Sequence, residues 1–256
     1  MTSGSRLAHT SRNILFGGNS GLDRQGKDNV DQCTVLIVGR GKLAAELLQG
    51  LNGPGIACVL PWGERDAAGS GSRMVVHAGS GRELVDVFEF CSATGSILLD
   101  LSTAGSRYPD APAFPVVVCP NVNMPMLSFM AMVRQSAGLF RGLDIGISES
   151  HQAAKKTSPG TAVHLARSLG VPEEAIRSER DPQVQREVLG IPEEFLDRHA
   201  YHEIVIRDAQ VEIRMQTRVL GKSAYASGLS RVIGIVSAKR PGPGCHDVVD
   251  LLMDGA

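Results

Sequence analysis

Short apolar runs that alternate with helix-like segments dominate the stretch from Cys33 to Asn121. The runs are "TVLIVG", "GIACVLPW", "SRMVVHAG", "SILLDLS" and "FPVVVCPN", and the helical patterns "KLAAELLQGL" and "RELVDVFEFCSATG" lie between them. Strands that are apolar on both faces and alternate with helices are typical of a parallel sheet covered by helices on both sides. The sequence therefore predicts an α/β fold with a Rossmann-like, doubly wound parallel sheet.

The pattern changes after this stretch. A long Met-rich helix is predicted over "MPMLSFMAMVRQSAGLFRGL", a strand over "DIGISES" and a helix over "GTAVHLARSLG". The segment "HEIVIRDAQVEIRMQTRVLG" alternates like two antiparallel strands joined near Asp208, and helices are predicted over "AYASGLSRVIGIVSAKR" and "GCHDVVDLLM". This half is expected to be a smaller α+β domain with a mixed or antiparallel sheet.

These patterns predict two domains. Residues 33–122 would form a dinucleotide-binding domain, to which residues 240–256 return, and residues 123–239 a substrate-binding domain. Residues 1–32 lack the apolar core of a signal peptide and are expected to be a flexible extension.

Composition argues against several classes of function. A formal net charge of −1 and an aromatic content of 4% disfavour a nucleic-acid binder, and no apolar run is long enough for a transmembrane helix. The 5 cysteines are scattered without a CxxC pair, which predicts free thiols in a cytoplasmic protein and neither a disulfide framework nor a metal site.

A glycine-rich loop follows the first predicted strand. Residues Gly39–Ala44 read G-x-G-x-x-A and open the first predicted helix. In a dinucleotide-binding loop Gly39 permits the tight turn, Gly41 lets the backbone approach a pyrophosphate, and Ala44 allows close packing of helix on strand. The loop, with Arg40, Lys42 and Leu43 between these positions, predicts a nicotinamide cofactor; a tight strand-to-helix turn without a ligand is the alternative.

Charged residues after the second strand bear on the choice of cofactor. Glu64 would hydrogen-bond the ribose hydroxyls, whereas Arg65 would suit a 2′-phosphate. Arg40 and Lys42 add positive charge at the helix mouth. The cofactor is predicted to be NADPH or NADH, and a solvated loop at Glu64 and Arg65 is the alternative.

The segment "SESHQAAKKTSPGTAVHLARSL" places proton-handling groups directly before a helix. The N–H groups of Gly160 and Thr161 could bind a carboxylate at the helix N-terminus. His151 could transfer a proton while Lys155 supplies positive charge. From these residues alone, a solvated lysine pair beside a structural histidine is the favoured interpretation.

The same segment, together with "VVVCPNVNMPMLSFM" before it, resembles the dihydrodipicolinate (4-hydroxy-tetrahydrodipicolinate) reductases of lysine and diaminopimelate biosynthesis. Their substrate motif is E-x-H-H-x-x-K-x-D-A-P-S-G-T-A. Their G-x-x-G-R-M-G loop is similar to Gly39–Ala44, their G-T-T-G turn to Leu101–Gly105, and their F-A-x-G helix to Tyr225–Gly228. "GCHDVVDLL" resembles the end of the family pattern, so the likeness runs in order from about residue 33 onwards.

The resemblance implies an NAD(P)H-dependent oxidoreductase that transfers a hydride to a cyclic imine or enamine dicarboxylate. It implies catalytic roles for His151 and Lys155, and a homo-oligomer, either a tetramer or a dimer. The substrate-binding residues would be Gln152, Gly160 and Thr161. The residues flanking the nicotinamide would be Ser102, Thr103, Pro120, Asn121 and Val122.

Departures from the family pattern leave three functions open. Gln152 replaces the motif's second histidine, the turn is shortened to Thr157–Thr161, and residues 181–198 replace the family's R-x-G-x-I-x-G segment. Farther along the chain, His202 is the only residue that matches the family's G-E-H pattern. The chain would reduce dihydrodipicolinate, or another cyclic imine carboxylate, or would bind a dinucleotide without catalysis.

Overall fold

The computed structural model describes residues 32–102, 107–155, 159–221 and 225–254. Several predicted residues therefore lie outside the described ranges. They are residues 103–105 of the predicted cofactor turn, which include Thr103, all but the last residue of the 1–32 extension, residues 156–158 of the predicted substrate motif, and the last two residues of the 240–256 segment.

All five apolar runs between Cys33 and Asn121 contain strands, as predicted. The strands are β1 (Cys33–Val38), β2 (Ile56–Pro61), β3 (Arg73–His77), β4 (Ile97–Asp100) and β5 (Pro115–Val118), and the helices between them are α1 (Lys42–Gly50) and α2 (Leu84–Thr94). These strands pair in parallel. Val35, Ile37 and Val75 are almost completely buried, as expected for a sheet covered on both faces.

The second half forms a smaller, mixed sheet. Its elements are α3 (Met124–Ser136), β6 (Asp144–His151), α4 (Gly160–Leu169), β7 (Arg177–Glu179), α5 (Pro182–Glu187), β8 (His199–Asp208), β9 (Val211–Leu220) and α6 (Tyr225–Lys239). The strand order is β7-β6-β8-β9, with β7 parallel to β6 and the other neighbours antiparallel. The predicted hairpin near Asp208 is confirmed. Strand β7 and helix α5 were not predicted.

The closing segment corrects one prediction. "GCHDVVDLLM" was expected to be a single helix, but its first residues form β10 (Gly244–Asp247), and only the remainder forms α7 (Val248–Met253). Strand β10 pairs in parallel with β5, giving the larger sheet the order β10-β5-β4-β3-β1-β2. Pairing with β5 supplies the hydrogen bonds that these residues would otherwise have found in a helix. Asp247 then caps α7 by accepting a hydrogen bond from the Val249 N–H.

The two sheets belong to one compact unit, residues 31–256, and share a continuous core. Helix α6 packs so closely on the chain after β5 that a Cβ at Gly228 would lie 2.0 Å from the Val122 carbonyl oxygen. No larger residue fits there, which gives a physical reason for the glycine of the Tyr225–Gly228 pattern. None of the helices in the described ranges combines the length and the apolarity needed to span a bilayer.

Candidate functional site

A cavity of about 430 Å³ lies where the carboxyl ends of the parallel strands meet the end of the mixed sheet. Its lining draws on the β3, β4 and β5 ends, on β6, on β8 and on the N-terminus of α4. Many of the predicted site residues meet there, from both halves of the chain. Those that line it are Leu43, Ser102, Pro120, Asn121, Val122, His151, Lys155, Gly160 and Thr161.

The turn between β1 and α1 fits a dinucleotide pyrophosphate. Gly39 has φ +132°, and a Cβ there would lie 2.6 Å from the Ala78 carbonyl oxygen, so only glycine is compatible with the turn. At Gly41, by contrast, a Cβ would meet no atom within 4 Å among the described residues. Helix α1 starts with Lys42, has no acid in its first turn and no side-chain cap. Its first N–H groups are therefore suited to an anion.

The predicted cofactor-selecting residues occupy more exposed positions. Glu64 and Arg65 lie in a 3₁₀ helix (Trp62–Ala68) directly after β2, where Glu64 is exposed. Arg65 stacks on the Trp62 ring, with its guanidinium carbon 4.8 Å from the ring centroid, and donates a hydrogen bond to the Trp62 carbonyl. Arg40 is also exposed. These placements do not choose between NADH and NADPH.

A buried carboxylate, Asp100, organises the cofactor side of the cavity. Its Oδ1 accepts hydrogen bonds from the Ser102 backbone N–H and from the Ser102 hydroxyl, both at 2.8 Å, and lies 2.9 Å from His77 Nδ1. Its Oδ2 accepts a 2.6 Å hydrogen bond from the Tyr108 hydroxyl. Asp100 thus fixes Ser102, which lines the cavity, and Tyr108, farther along the same connection. No sequence motif predicted Asp100, His77 or Tyr108 as part of the site.

Thr161 joins the two halves of the chain. Its hydroxyl donates a 3.1 Å hydrogen bond to the Pro120 carbonyl and accepts one of 3.2 Å from Asn121 Nδ2. Helix α4 begins at Gly160 and has no side-chain cap, so its first N–H groups face the cavity without competition from a capping side chain. The hydroxyl therefore positions the helix, and the backbone is the part suited to bind a carboxylate.

A second buried carboxylate, Glu149, holds the imidazole of His151. Glu149 Oε2 lies 2.6 Å from His151 Nδ1, and its Oε1 accepts a 2.6 Å hydrogen bond from Arg180. Burial acts to raise the pKa of Glu149, but the hydrogen bonds from His151 and Arg180 outweigh it and lower the pKa to about 2. Glu149 is therefore ionised, and it fixes the proton of His151 on Nδ1 or favours the imidazolium.

His151 and Lys155 are both biased towards giving up a proton. Burial lowers the pKa of His151; Glu149 opposes this shift, and Lys155 and Arg180 add to it. Burial also lowers the pKa of Lys155, again against the attraction of Glu149. A histidine and a lysine in one cavity with lowered pKa values are candidates for proton transfer and for binding an anion.

A second imidazole, that of His202, lies against the ring of His151. Its ring packs edge-on to the His151 ring at a centroid distance of 5.7 Å, and the residue is 2% exposed. Burial and the neighbouring His151 lower the pKa of His202 to about 3, so it is neutral in the physiological range.

Gln152 lies outside the described lining of this cavity. It borders a neighbouring cavity of about 570 Å³, together with Lys42 and Gln185. Gln185 is fully buried, and its Nε2 donates a 2.8 Å hydrogen bond to the His151 carbonyl. Helix α5, within the segment that replaces the family's R-x-G-x-I-x-G, thus braces the end of β6. The substrate-binding role of Gln152 stays a prediction.

Part of what the sequence analysis missed was readable in the alternation of the strands. Ile147, Glu149 and His151 share one face of β6, so the carboxylate had to lie beside the histidine. On β8, His202 lies on the same buried face as Ile204 and Ile206. Arg180, in a loop after a strand of three residues, carried no such signal.

Comparisons with known proteins agree with this architecture. Residues 126–252 match the family model described as the dihydrodipicolinate reductase C-terminus. A 4-hydroxy-tetrahydrodipicolinate reductase 1, chloroplastic, of Arabidopsis thaliana is 31% identical over 153 residues, covering 54% of this chain and 44% of that protein. A probable 4-hydroxy-tetrahydrodipicolinate reductase 2, chloroplastic, of Oryza sativa subsp. japonica is 32% identical over 158 residues, covering 55% and 47%. The matches thus span less than half the length of these relatives.

Among solved structures, the chain is similar to a dipicolinate-bound dihydrodipicolinate reductase from Paenisporosarcina sp. TG-14. The TM-score is 0.56 at 14% sequence identity, and the match covers 84% of this chain and 97% of the other. At this identity the likeness concerns the fold. It extends over both sheets of the described chain.

Proposed function

Since this chain is a divergent member of the dihydrodipicolinate reductase family, we propose that it is an NAD(P)H-dependent reductase of a cyclic imine or enamine dicarboxylate. Dihydrodipicolinate or its 4-hydroxy precursor, of lysine and diaminopimelate biosynthesis, is the proposed substrate. One observation carries the proposal. A single cavity is lined by the predicted cofactor residues Ser102 and Asn121 and by the predicted catalytic residues His151 and Lys155.

The cofactor side of the site would bind NADH or NADPH, which when bound supplies the hydride. Gly39 and Gly41 shape the turn for a pyrophosphate at the N-terminus of α1, as the space beside Gly41 indicates. Ser102 and Asn121, held by Asp100 and Thr161, would flank the nicotinamide at the cavity wall. Glu64 and Arg65 are proposed to contact the adenosine ribose, and the choice between the two cofactors is part of the test below.

The substrate side would supply charge and a proton. Lys155 and the N–H groups of Gly160 and Thr161 would bind a carboxylate of the substrate. Addition of a hydride to a conjugated imine leaves negative charge on the ring, which one proton neutralises. As the imidazolium, with its Nδ1–H bound to Glu149, His151 can deliver that proton from Nε2, which leaves the neutral ring with its proton on Nδ1 until solvent restores the one on Nε2.

A second candidate substrate is another cyclic imine carboxylate. Gln152 stands where the family motif has its second histidine and lies outside the described lining of the cavity. A cavity with a different set of donors would accept a different ring. The cytoplasmic location and the homo-oligomeric assembly, as tetramer or dimer, stay predictions from the sequence.

The proposed function can be tested with purified full-length chain. Calorimetry with NADH and NADPH measures cofactor binding, and loss of reduced-cofactor absorbance measures turnover on dihydrodipicolinate and on a panel of other cyclic imine carboxylates. Lys155→Ala should lower turnover at least about 100-fold and leave cofactor affinity within about twofold, because Lys155 is proposed to bind the substrate carboxylate and not the cofactor.

Turnover near the wild-type rate in Lys155→Ala would show that the catalytic assignment is wrong. Cofactor binding by a wild-type chain that reduces none of the imines would favour the non-catalytic alternative. Lys239→Ala is the matched control, since Lys239 is exposed at the end of α6.

A further inference from the structure

His202 occupies a defined place in the mixed sheet. It pairs across strands with Glu149 of β6 on one side and with Thr217 of β9 on the other. The three side chains therefore form a row on one face of the sheet, beside His151. This row borders the cavity, and His202 itself contributes to the cavity lining.

One nitrogen of His202 lacks a partner. Nδ1 lies 3.3 Å from the Thr217 hydroxyl oxygen, whereas Nε2 is buried and has no hydrogen-bond partner within the described ranges. A buried polar atom left unsatisfied is costly, and native proteins retain few of them. A donor or acceptor on a ligand in the cavity would satisfy Nε2.

The charges around His202 define its role. The groups facing it are His151, Glu149 and Lys155, and its own pKa lies far below neutrality. His202 can therefore form a hydrogen bond but cannot serve as an acid at physiological pH. His151, which is bound to Glu149, is the imidazole that can carry the proton. The two histidines are thus chemically distinct although their rings touch.

We propose that His202 is a substrate-binding residue that donates its Nε2 proton to a carboxylate of the cyclic dicarboxylate, a contact that does not depend on the motif position held here by Gln152. The inference rests on the proposed function. The hydrogen bond with Thr217 sets the tautomer of His202. The Thr217 hydroxyl donates to Nδ1 of His202, and the ring proton is therefore on Nε2. The second carboxylate-binding imidazole comes from β8 and not from the motif itself.

The experiment uses the full chain saturated with NADPH or NADH and dipicolinate, an aromatic dicarboxylate, as the probe. His202→Leu removes both nitrogens, whereas His202→Gln keeps an amide N–H near the position of Nε2. His202→Leu should weaken dipicolinate binding and raise the substrate KM at least about tenfold, and His202→Gln should restore most of the affinity. Thr217→Val should show a smaller weakening, because it removes only the group that sets the tautomer.

Two further readouts and a control variant separate substrate binding from a structural role. In both His202 variants the affinity for the reduced cofactor should stay within about twofold, and the pH profile of kcat should keep its shape because His202 does not titrate there. His246→Gln is the matched control: His246 lies on β10, outside the described cavity lining, and its Nε2 is 2.8 Å from the Gly242 carbonyl oxygen. This control should bind dipicolinate as the wild type does.

The outcomes are distinguishable. If the wild type binds dipicolinate and turns over a cyclic imine but His202→Leu does so equally well, the inference is wrong and the proposed function stands. Equal losses of dipicolinate and cofactor affinity in His202→Leu would also overturn the inference, since they indicate a structural role. A wild-type chain that binds cofactor but neither binds dipicolinate nor reduces any imine contradicts the proposed function, and the inference with it.

Discussion

Two buried carboxylates stand on opposite sides of the cavity, and their surroundings differ. Asp100 and Glu149 both have side chains that are 0% exposed, and each lies at or near the carboxyl end of a strand. Asp100 accepts hydrogen bonds from a backbone N–H and from the hydroxyls of Ser102 and Tyr108, and its imidazole neighbour, His77, lies outside the described lining of the cavity. Glu149 contacts an imidazole and a guanidinium, those of His151 and Arg180.

This difference separates two tasks. Hydroxyl and backbone donors fix the path of the chain, so Asp100 shapes the wall against which a flat cofactor ring would lie. Charged partners control the protonation state of a side chain, so Glu149 controls the proton of His151. Towards the cavity, the cofactor side thus presents a hydroxyl and the backbone, with Gly39 as the position that tolerates substitution least, whereas the substrate side presents the titratable imidazole of His151.

The largest effect should come from neutralising the carboxylate on the substrate side. Glu149→Gln removes the charge that raises the pKa of His151, so His151 loses its proton more readily and turnover at neutral pH should fall about 100-fold. The loss should be smaller at acid pH, where His151 is protonated again. Steady-state rates between pH 5 and pH 8 measure both effects.

Glu203→Gln provides the control for this substitution. Glu203 lies on β8 beside His202 but points to the opposite face of the sheet, where Arg214 and Gln216 bind it. Its rate and pH profile should match the wild type. A pH-independent loss in Glu149→Gln would contradict the role of Glu149 in setting the protonation of His151.

The second effect concerns stability as a function of pH. The pKa of His202 is about 3 in the folded chain and about 6.5 in the unfolded chain. Between these values the unfolded state binds more protons, so acid favours unfolding. From pH 7.5 to pH 5 this histidine alone should remove about 2 kcal/mol from the free energy of unfolding.

Urea unfolding at the two pH values measures this change. His202→Gln should lose less stability on acidification than the wild type, by about that amount. The control His246→Gln should lose as much as the wild type. An equal loss in wild type and His202→Gln would show that His202 is already protonated in the fold or is accessible to water, and the substrate side would then be less dry than its burial indicates.

Most of the fold could be predicted because its signals are local. Strands such as Cys33–Val38 are short and rich in apolar, β-branched residues, and they alternate with helical patterns. The spacing of the apolar residues and the composition therefore predict the same elements. Strand Gly244–Asp247 could not be predicted in this way. It contains no β-branched residue and adjoins the helical run Val248–Met253, and only its pairing with Pro115–Val118 makes it a strand.

The site was predictable to the extent that its residues share a continuous motif. His151, Lys155, Gly160 and Thr161 were predicted from one segment and line one cavity. The residues that control them come from elsewhere: Arg180 from a loop and Gln185 from a short helix that no pattern indicated. Their contacts depend on tertiary packing, and no local sequence pattern shows which distant residue will contact the motif.

The smallest effect should come from the cofactor side. Asp100→Asn keeps the shape of the side chain but replaces one acceptor oxygen with a donor, so either the hydrogen bond with Tyr108 must reverse its direction or the one from the Ser102 backbone N–H must be lost. The KM for NAD(P)H should rise about tenfold, while dipicolinate affinity measured with saturating cofactor should stay within about twofold. Tyr108→Phe, which removes one of these hydrogen bonds and leaves the carboxylate, should raise the cofactor KM by less.

If Asp100→Asn weakened the binding of dipicolinate as much as that of the cofactor, the two carboxylates would serve one coupled site. The division between chain geometry on one side of the cavity and proton control on the other would then fail.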